Sequence, residues 1–378
     1  MGGAGTLEEM VKPASMDARQ DVWRGKRVLL TGHTGFKGSW LSLWLKQWGA
    51  EVFGFSLPPE TPSLFLQAGL EKQINGEYGD LREPATIGRV VKAFQPQVVL
   101  HLAAQPIVRL SYQDPVGTYA TNVMGTVHLL EAVRHTPGVQ AVTVVTSDKC
   151  YENVEWVWGY RENDRLGGHD PYSNSKACAE LVAAAYRTSY FSGADSPLLA
   201  TARAGNVVGG GDWAKDRLIP DAMRAFAMQQ PLVIRYPAAV RPWQHVLEAL
   251  NGYLVLTEGL MAGNRALAEG WNFGPLPQSF RAVEDVVQRL VALWGGQASY
   301  RAEPVKDWHE AGLLTLDVTK AMRHLPWQPQ LELDAALGLT VAWYQAAHRS
   351  ASNIADFSLK QIDDFVRQNN QNIAKRVP

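Results

Sequence analysis

Tyr172 and Lys176 stand four residues apart in Pro171-Tyr172-Ser173-Asn174-Ser175-Lys176, a run that opens an alanine-rich stretch predicted to be helical. At that spacing two side chains share one helix face, a turn apart. An ammonium beside a phenol favours the phenolate and draws its pKa down from about 10 toward neutrality. A phenolate so placed is a general base for a hydroxyl proton. A YxxxK pair also arises by chance in many helices, so its surroundings have to carry the reading. Upstream, Ser147-Asp148-Lys149 close the strand-like run Val142 to Thr146 and put a hydroxyl, a carboxylate and an amine at one strand end.

The elements that would position these groups begin with Lys26-Arg27-Val28-Leu29-Leu30, predicted to be a buried strand. Thr31 to Gly38 follows, then an apolar helix from Ser39 to Gln47 and a second strand from Glu51 to Phe55. Gly32, Gly35 and Gly38 form a GxxGxxG loop, with Thr34 and Phe36 between them. Such a loop turns tightly and lets a pyrophosphate approach the helix N-terminus, where free N–H groups favour anions. The second strand ends in Gly54-Phe55-Ser56, without the acid that usually binds the ribose 2′-hydroxyl of NAD. Lys37 and Ser56 could instead tolerate a 2′-phosphate, which leaves NAD or NADP open on the residues alone. Asp80, followed by Leu81, could face an adenine amino group or simply cap a turn. The strand from Gln97 runs into Leu102-Ala103-Ala104, small enough for close approach of a cofactor at a sheet edge. His101 within it reads as a core histidine. Asp114-Pro115 starts a long helix containing Asn122, whose amide could support a proton relay or bond within the core.

Strand–helix alternation continues through Gln140–Thr146, Tyr172–Tyr190 and Pro197–Arg203, the pattern of an α/β, Rossmann-type doubly wound parallel sheet. From Gly205 the texture changes to loops and short elements rich in Pro, Trp and Arg, which suggests a smaller C-terminal substrate-binding lobe. Arg217, Arg235 and Arg241 recur there, and arginine forks suit phosphate oxygens. The expected division is a leader or flexible arm over 1–24, a dinucleotide-binding domain over 25–204, a substrate lobe with some crossing over 205–350, and a tail over 351–378. The 378 residues carry a net charge of −1, which gives no support for a nucleic-acid or membrane-surface partner. Two cysteines cannot build a disulfide framework and suit a reducing cytoplasm. No apolar run reaches a membrane span, and no metal-ligand set is expected.

These residues together resemble the extended short-chain dehydrogenase/reductase family, and within it the nucleotide-sugar 4,6-dehydratases that act on CDP-D-glucose. The resemblance is carried by TGHTGFKGSWLSLWL from Thr31, HLAAQPIVRLSY from His101, TNVMGTVHLLEA from Thr121, TSDKCYEN from Thr146 and DPYSNSKACAELV from Asp170. RAGNVVGGGDWAKDRLIPD from Arg203, RPWQHVLE from Arg241, EGWNFGP from Glu269 and HEAGLLTLD from His309 extend it. It implies NAD as cofactor, held by Gly32, Thr34, Gly35, Phe36, Gly38, Asp80, Leu81, Leu102, Ala103, Ala104, Asn122, Tyr172 and Lys176. It further implies that Tyr172 removes the sugar 4-hydroxyl proton, Lys176 holds the cofactor ribose, and Ser147 bonds the C4 oxygen. Asp148 would protonate the leaving 6-hydroxyl and Lys149 would remove the C5 proton, where other nucleotide-sugar dehydratases carry an Asp-Glu pair. Lys149 could alternatively stabilise an enolate electrostatically. Gln105, Ser147, Asn206, Arg217, Leu218, Ile219, Arg235, Arg241, His245 and Asn272 would contact the sugar nucleotide. A homodimer through the Asn122 and Tyr172 helices, or a homotetramer, suits the same fold.

Two other readings compete. A 4-epimerase on the same scaffold needs Tyr172 and Lys176 but not the elimination pair Asp148-Lys149. A nicotinamide-binding regulator without turnover has no need of Ser147, Tyr172 and Lys176 together.

Overall fold

The computed structural model describes residues 16–303, 312–349 and 353–374. His309-Glu310-Ala311 and residues 1–15 lie outside that range. Strands β1 (Arg27–Thr31), β2 (Glu51–Ser56), β3 (Asn75–Tyr78), β4 (Val98–His101), β5 (Ala141–Val145), β6 (Leu198–Arg203) and β7 (Gly270–Asn272) form one sheet in the order β7-β6-β5-β4-β1-β2-β3. Every neighbouring pair is parallel. β4 and β5 are buried along their whole length, as strands covered by helices on both faces must be. The Rossmann-type sheet with an additional C-terminal lobe is thus the one expected.

Strand order reverses at β1, which lies between β2 and β4, and such a switch point opens a crevice at the carboxyl edge. Helix α2 (Phe36–Gln47) follows β1, α3 (Pro171–Ser189) precedes β6, and α4 (Val246–Met261) packs against β5 and β6 from the C-terminal half. The apolar core is continuous between the sheet and the C-terminal half, running from Trp40 and Trp44 of α2 to Trp271, Trp327 and Trp343.

Two boundaries differ from the expected division. Residues Met16–Trp23 form helix α1, not a loose arm. Trp23 is fully buried, and the Arg19 guanidinium forks onto the Glu258 carboxylate at 2.8 and 2.9 Å, so burial and an ion pair fix this segment to α4. At the other end, Ile354–Ala374 is helix α5, which lays Ile362, Phe365 and Val366 into the core beside α2. β7, from the second half of the chain, pairs with β6 in the main sheet.

Candidate active site

The loop between β1 and α2 is shaped by its glycines. Gly32 has φ +74°, and a Cβ there would come within 2.7 Å of the Ala103 backbone, so β4 can approach only if residue 32 has no side chain. A Cβ on Gly38 would fall 2.1 Å from the Gly32 carbonyl oxygen, which is how α2 closes onto the turn. Gly35 is exposed and precedes α2, whose first turn has neither a side-chain cap nor an acidic residue. Its N–H groups are therefore available to an anion, and this bare cradle fits a dinucleotide pyrophosphate.

At the end of β2 the acid is replaced by a closed network. Thr34 Oγ1 and Ser56 Oγ bond at 2.8 Å, and Ser56 Oγ also meets His33 Nδ1 at 3.1 Å. Lys37 turns the other way: its Nζ donates to the Tyr253 hydroxyl of α4 at 3.2 Å. The 2′-phosphate role considered for Lys37 is therefore not supported, because the ammonium is spent on the catalytic side of α2. Burial, with Arg217 and Lys176 nearby, lowers the Lys37 ammonium to about 7. Asp80 sits at the rim with its carboxylate gripped by Arg82, which holds it below the usual range. His101 is a satisfied core residue, its two ring nitrogens meeting Thr31 Oγ1 at 2.7 Å and Thr126 Oγ1 at 3.1 Å.

Ser147, just past β5, caps the short turn Asp148–Cys150 by accepting from Lys149 N at 3.2 Å. That turn aims Asp148 inward. Its buried carboxylate accepts from Ser147 Oγ at 2.9 Å and lies 3.4 Å from Asn206 Nδ2. Asp170 caps α3 by accepting from Ser173 N at 2.9 Å, and Pro171 occupies the first turn, which sets where Tyr172 and Lys176 emerge. Lys176 Nζ donates to the Val145 carbonyl at 3.2 Å and so pins α3 to the end of β5.

One cleft of ≈ 2070 Å³ collects these groups, about twice the volume that holds a single small ligand. It takes in Gly32, Thr34, Gly35, Phe36, Gly38, Asp80, Leu81, Leu102, Ala103, Ala104 and Gln105 on one side. Ser147, Asp148, Lys149, Tyr172 and Lys176 lie along it, and Asn206, Arg217, Leu218, Ile219, Arg235 and Arg241 face them from the second lobe. Asn122, His245 and Asn272 do not line it. Asn122 is a brace: its amide donates to the Gln105 carbonyl and to Ser175 Oγ. His245 is fully buried and caps α4, accepting from Leu247 N at 3.3 Å, so the substrate contact expected of it is corrected. Asn272 is corrected too: on β7 its amide is used up by the Tyr160 and Asp317 carbonyls and the Tyr151 hydroxyl.

The electrostatics also amend one expectation. Burial pushes the Tyr172 phenol up to about 12, against a hydrogen bond with Ser147 and the charge of Arg217, which pull it down. Lys176 does not reverse this, since burial lowers its own ammonium to about 8. Arg217 bonds Asp212 at 2.9 Å, Asp216 takes Arg109 at 2.9 Å and Arg235 at 3.5 Å, and Arg241 donates to the Val240 carbonyl at 2.9 Å. Sequence reasoning passed over Arg109, Asp212 and Asp216: Asp212 meets Arg217 within one loop, while Arg109 and Asp216 lie far apart in the chain and meet only in the cleft. Among the described residues no cluster of three His, Cys, Asp or Glu is arranged to hold a metal ion.

A dinucleotide cradle at the switch point of a parallel sheet, opposed by a lysine–tyrosine helix, has close parallels among known proteins. The chain belongs to the GDP-mannose 4,6 dehydratase family, whose model matches residues 29–340, within the extended short-chain dehydrogenases/reductases. It is 50% identical over 352 residues to the CDP-glucose 4,6-dehydratase of Salmonella typhimurium, covering 92% of this chain and 98% of that one. The dTDP-glucose 4,6-dehydratase of Haemophilus influenzae is 26% identical over 345 residues, with 84% and 97% covered. Among solved structures, the dTDP-glucose 4,6-dehydratase of Streptomyces venezuelae with NAD bound superposes with a TM-score of 0.73 at 25% identity, covering 84% of this chain and 97% of that one. The UDP-glucose 4-epimerase of Thermus thermophilus shares the fold at a TM-score of 0.74 and 23% identity, with 85% and 99% covered.

Proposed function

We propose that this protein is a CDP-glucose 4,6-dehydratase, a hydro-lyase with bound NAD that converts CDP-D-glucose to CDP-4-keto-6-deoxy-D-glucose and water. The observation that carries this reading is that the elimination pair, Asp148 and Lys149, opens into the same cleft as Tyr172 and Lys176. A 4-epimerase has no use for the first pair. NAD, when bound, supplies the acceptor for hydride from sugar C4 and its return to C6.

The chain's own groups handle the protons. Tyr172 takes the proton of the 4-hydroxyl, and Ser147, in the same cleft, orients the C4 oxygen. A ketone at C4 makes the C5 proton acidic, and Lys149, at the end of β5, removes it. Asp148 donates a proton to the departing 6-hydroxyl. Gly32, Gly35 and the uncapped start of α2 receive the dinucleotide pyrophosphate, while Lys176 reaches its ribose. Arg217, Arg235 and Arg241 take the diphosphate of the sugar nucleotide, with Asn206, Leu218 and Ile219 beside them.

A second copy of the chain covers the exposed apolar side chains Val116, Met124 and Leu181, on the helices expected to pair. No described helix is long and apolar enough to cross a membrane. Incubation with CDP-D-glucose and mass analysis tests the activity. Loss of one water is expected, and an isomer of unchanged mass would establish epimerisation instead.

A further inference from the structure

We propose that Glu180 is a positioning residue for the Tyr172–Lys176 pair: its buried carboxylate, one turn beyond Lys176 on α3, ties that helix to the ends of β5 and β6 and supplies the negative charge facing the lysine. The inference rests on the reading of Tyr172 and Lys176 as the working base and its companion.

Both oxygens of this carboxylate are engaged. Oε1 accepts from the Thr146 hydroxyl, next to Ser147. Oε2 accepts from the Thr201 hydroxyl at 2.6 Å and from the Arg203 guanidinium at 2.8 Å, both on β6. Arg203 carries the tie onward, donating to the Tyr151 hydroxyl at 2.6 Å, and Tyr151 in turn donates to Asn272 Oδ1 at 2.7 Å. Arg203 is followed by Ala204 and Gly205, and Gly205 lies against Asp148. One side chain therefore fixes the base-bearing helix relative to the end of β5, which leads to the serine and the acid, and to the end of β6, which leads to the Gly205 that backs that acid.

Its charge matters as much as its bonds. The ionisable groups around the Lys176 ammonium are Tyr172 and Glu180 on its own helix, Cys150 on the turn after β5, His101 on β4 and Lys37 on α2. Burial lowers the ammonium, and among these groups Glu180 opposes that most, ahead of Cys150. Taking the charge away leaves burial less opposed, so the ammonium is lost at lower pH. A neutral Lys176 would neither bind a ribose as a cation nor favour the phenolate.

The test is a titration of Lys176 in the full chain labelled with [ε-13C]lysine, the signal being assigned by its absence in Lys176→Met. Glu180→Gln is expected to move the Lys176 midpoint down by about one unit or more. Glu180→Asp keeps the charge, so its midpoint should stay while its melting temperature falls. If Glu180→Gln does not fold, the double variant Glu180→Gln/Arg203→Met removes both members of the buried pair, a change that folded proteins tolerate better than losing one. The same downward shift is expected there. An unmoved midpoint in a folded variant without the charge would overturn the proposal. Failure of the wild-type protein to dehydrate CDP-D-glucose would instead remove the functional reading, and the NMR midpoint is independent of that result.

Discussion

The Gly205 backbone lies so close to Asp148 that a Cβ at residue 205 would fall 1.9 Å from one carboxylate oxygen and 2.3 Å from the other. The proposed elimination acid owes its place to a missing side chain at residue 205. Gly205→Ala should therefore expel the Asp148 carboxylate from its position beside Ser147. The expected phenotype is selective: sugar oxidation persists, seen as reduced-cofactor absorbance, while water loss slows by roughly 10²-fold or more. Equal loss of both steps would place Asp148 outside the elimination.

Tyr172→Phe removes the proposed base and should lower turnover on the order of 10²- to 10⁴-fold, with no reduced cofactor formed. Because burial holds the phenol up at about 12, its base form is scarce at neutral pH, and the rate should climb as pH rises. Arg217 pulls that phenol down, so Arg217→Met should displace the rising limb to higher pH. A limb that stays in place would remove Arg217 from the electrostatics of the base.

Lys149→Ala should leave the transient reduced cofactor intact but slow the exchange of C5 hydrogen with solvent. Deuterium incorporation followed by mass spectrometry measures this directly. Undiminished exchange would assign the C5 proton to another base.

Acid should unfold the protein through its buried imidazoles. Burial lowers His33 to about 4, and His101 and His245 to about 3, from an ordinary 6.5. Below pH 6.5 the unfolded chain binds protons that the folded chain refuses, so stability falls as pH drops. Glu248 works the other way: burial raises it to about 8, so it costs stability as pH rises from 4.5. Melting temperatures should decline from pH 6.5 toward pH 4, and His101→Asn should flatten that decline. A flat profile in the wild-type chain would contradict it.

Leu181→Glu places a charge among the exposed apolar side chains proposed to be covered by a second copy, and sedimentation should show a smaller species than the unsubstituted chain gives. An unchanged sedimentation coefficient would locate the subunit contact elsewhere.

Much of the site was legible because its chemistry is local. The loop from Gly32 to Gly38, the strand end at Ser147 and the Tyr172–Lys176 turn are each continuous in sequence, and a parallel sheet of buried strands brings such ends to one edge. What escaped depends on contacts distant along the chain. Asn272 falls in a segment resembling a binding block, yet the pairing of β7 with β6 turns its amide into the core, toward Tyr160 and Asp317. Glu180 looks like any acid on an alanine-rich helix until β6 brings Arg203 to it. Lys37 sits within the glycine loop, but only the packing of α4 shows that it turns toward Tyr253. The direction of the Tyr172 shift was likewise hidden, since burial is a property of the folded chain.

β7 completes the sheet from residues 270–272, long after β6 has ended at Arg203. During synthesis from the N-terminus, β6 remains a bare border until β7 has left the ribosome. A fragment severed after Arg203 would expose that border, a template for pairing with other chains. The sheet is thus closed on that side only by a strand from the second half of the chain.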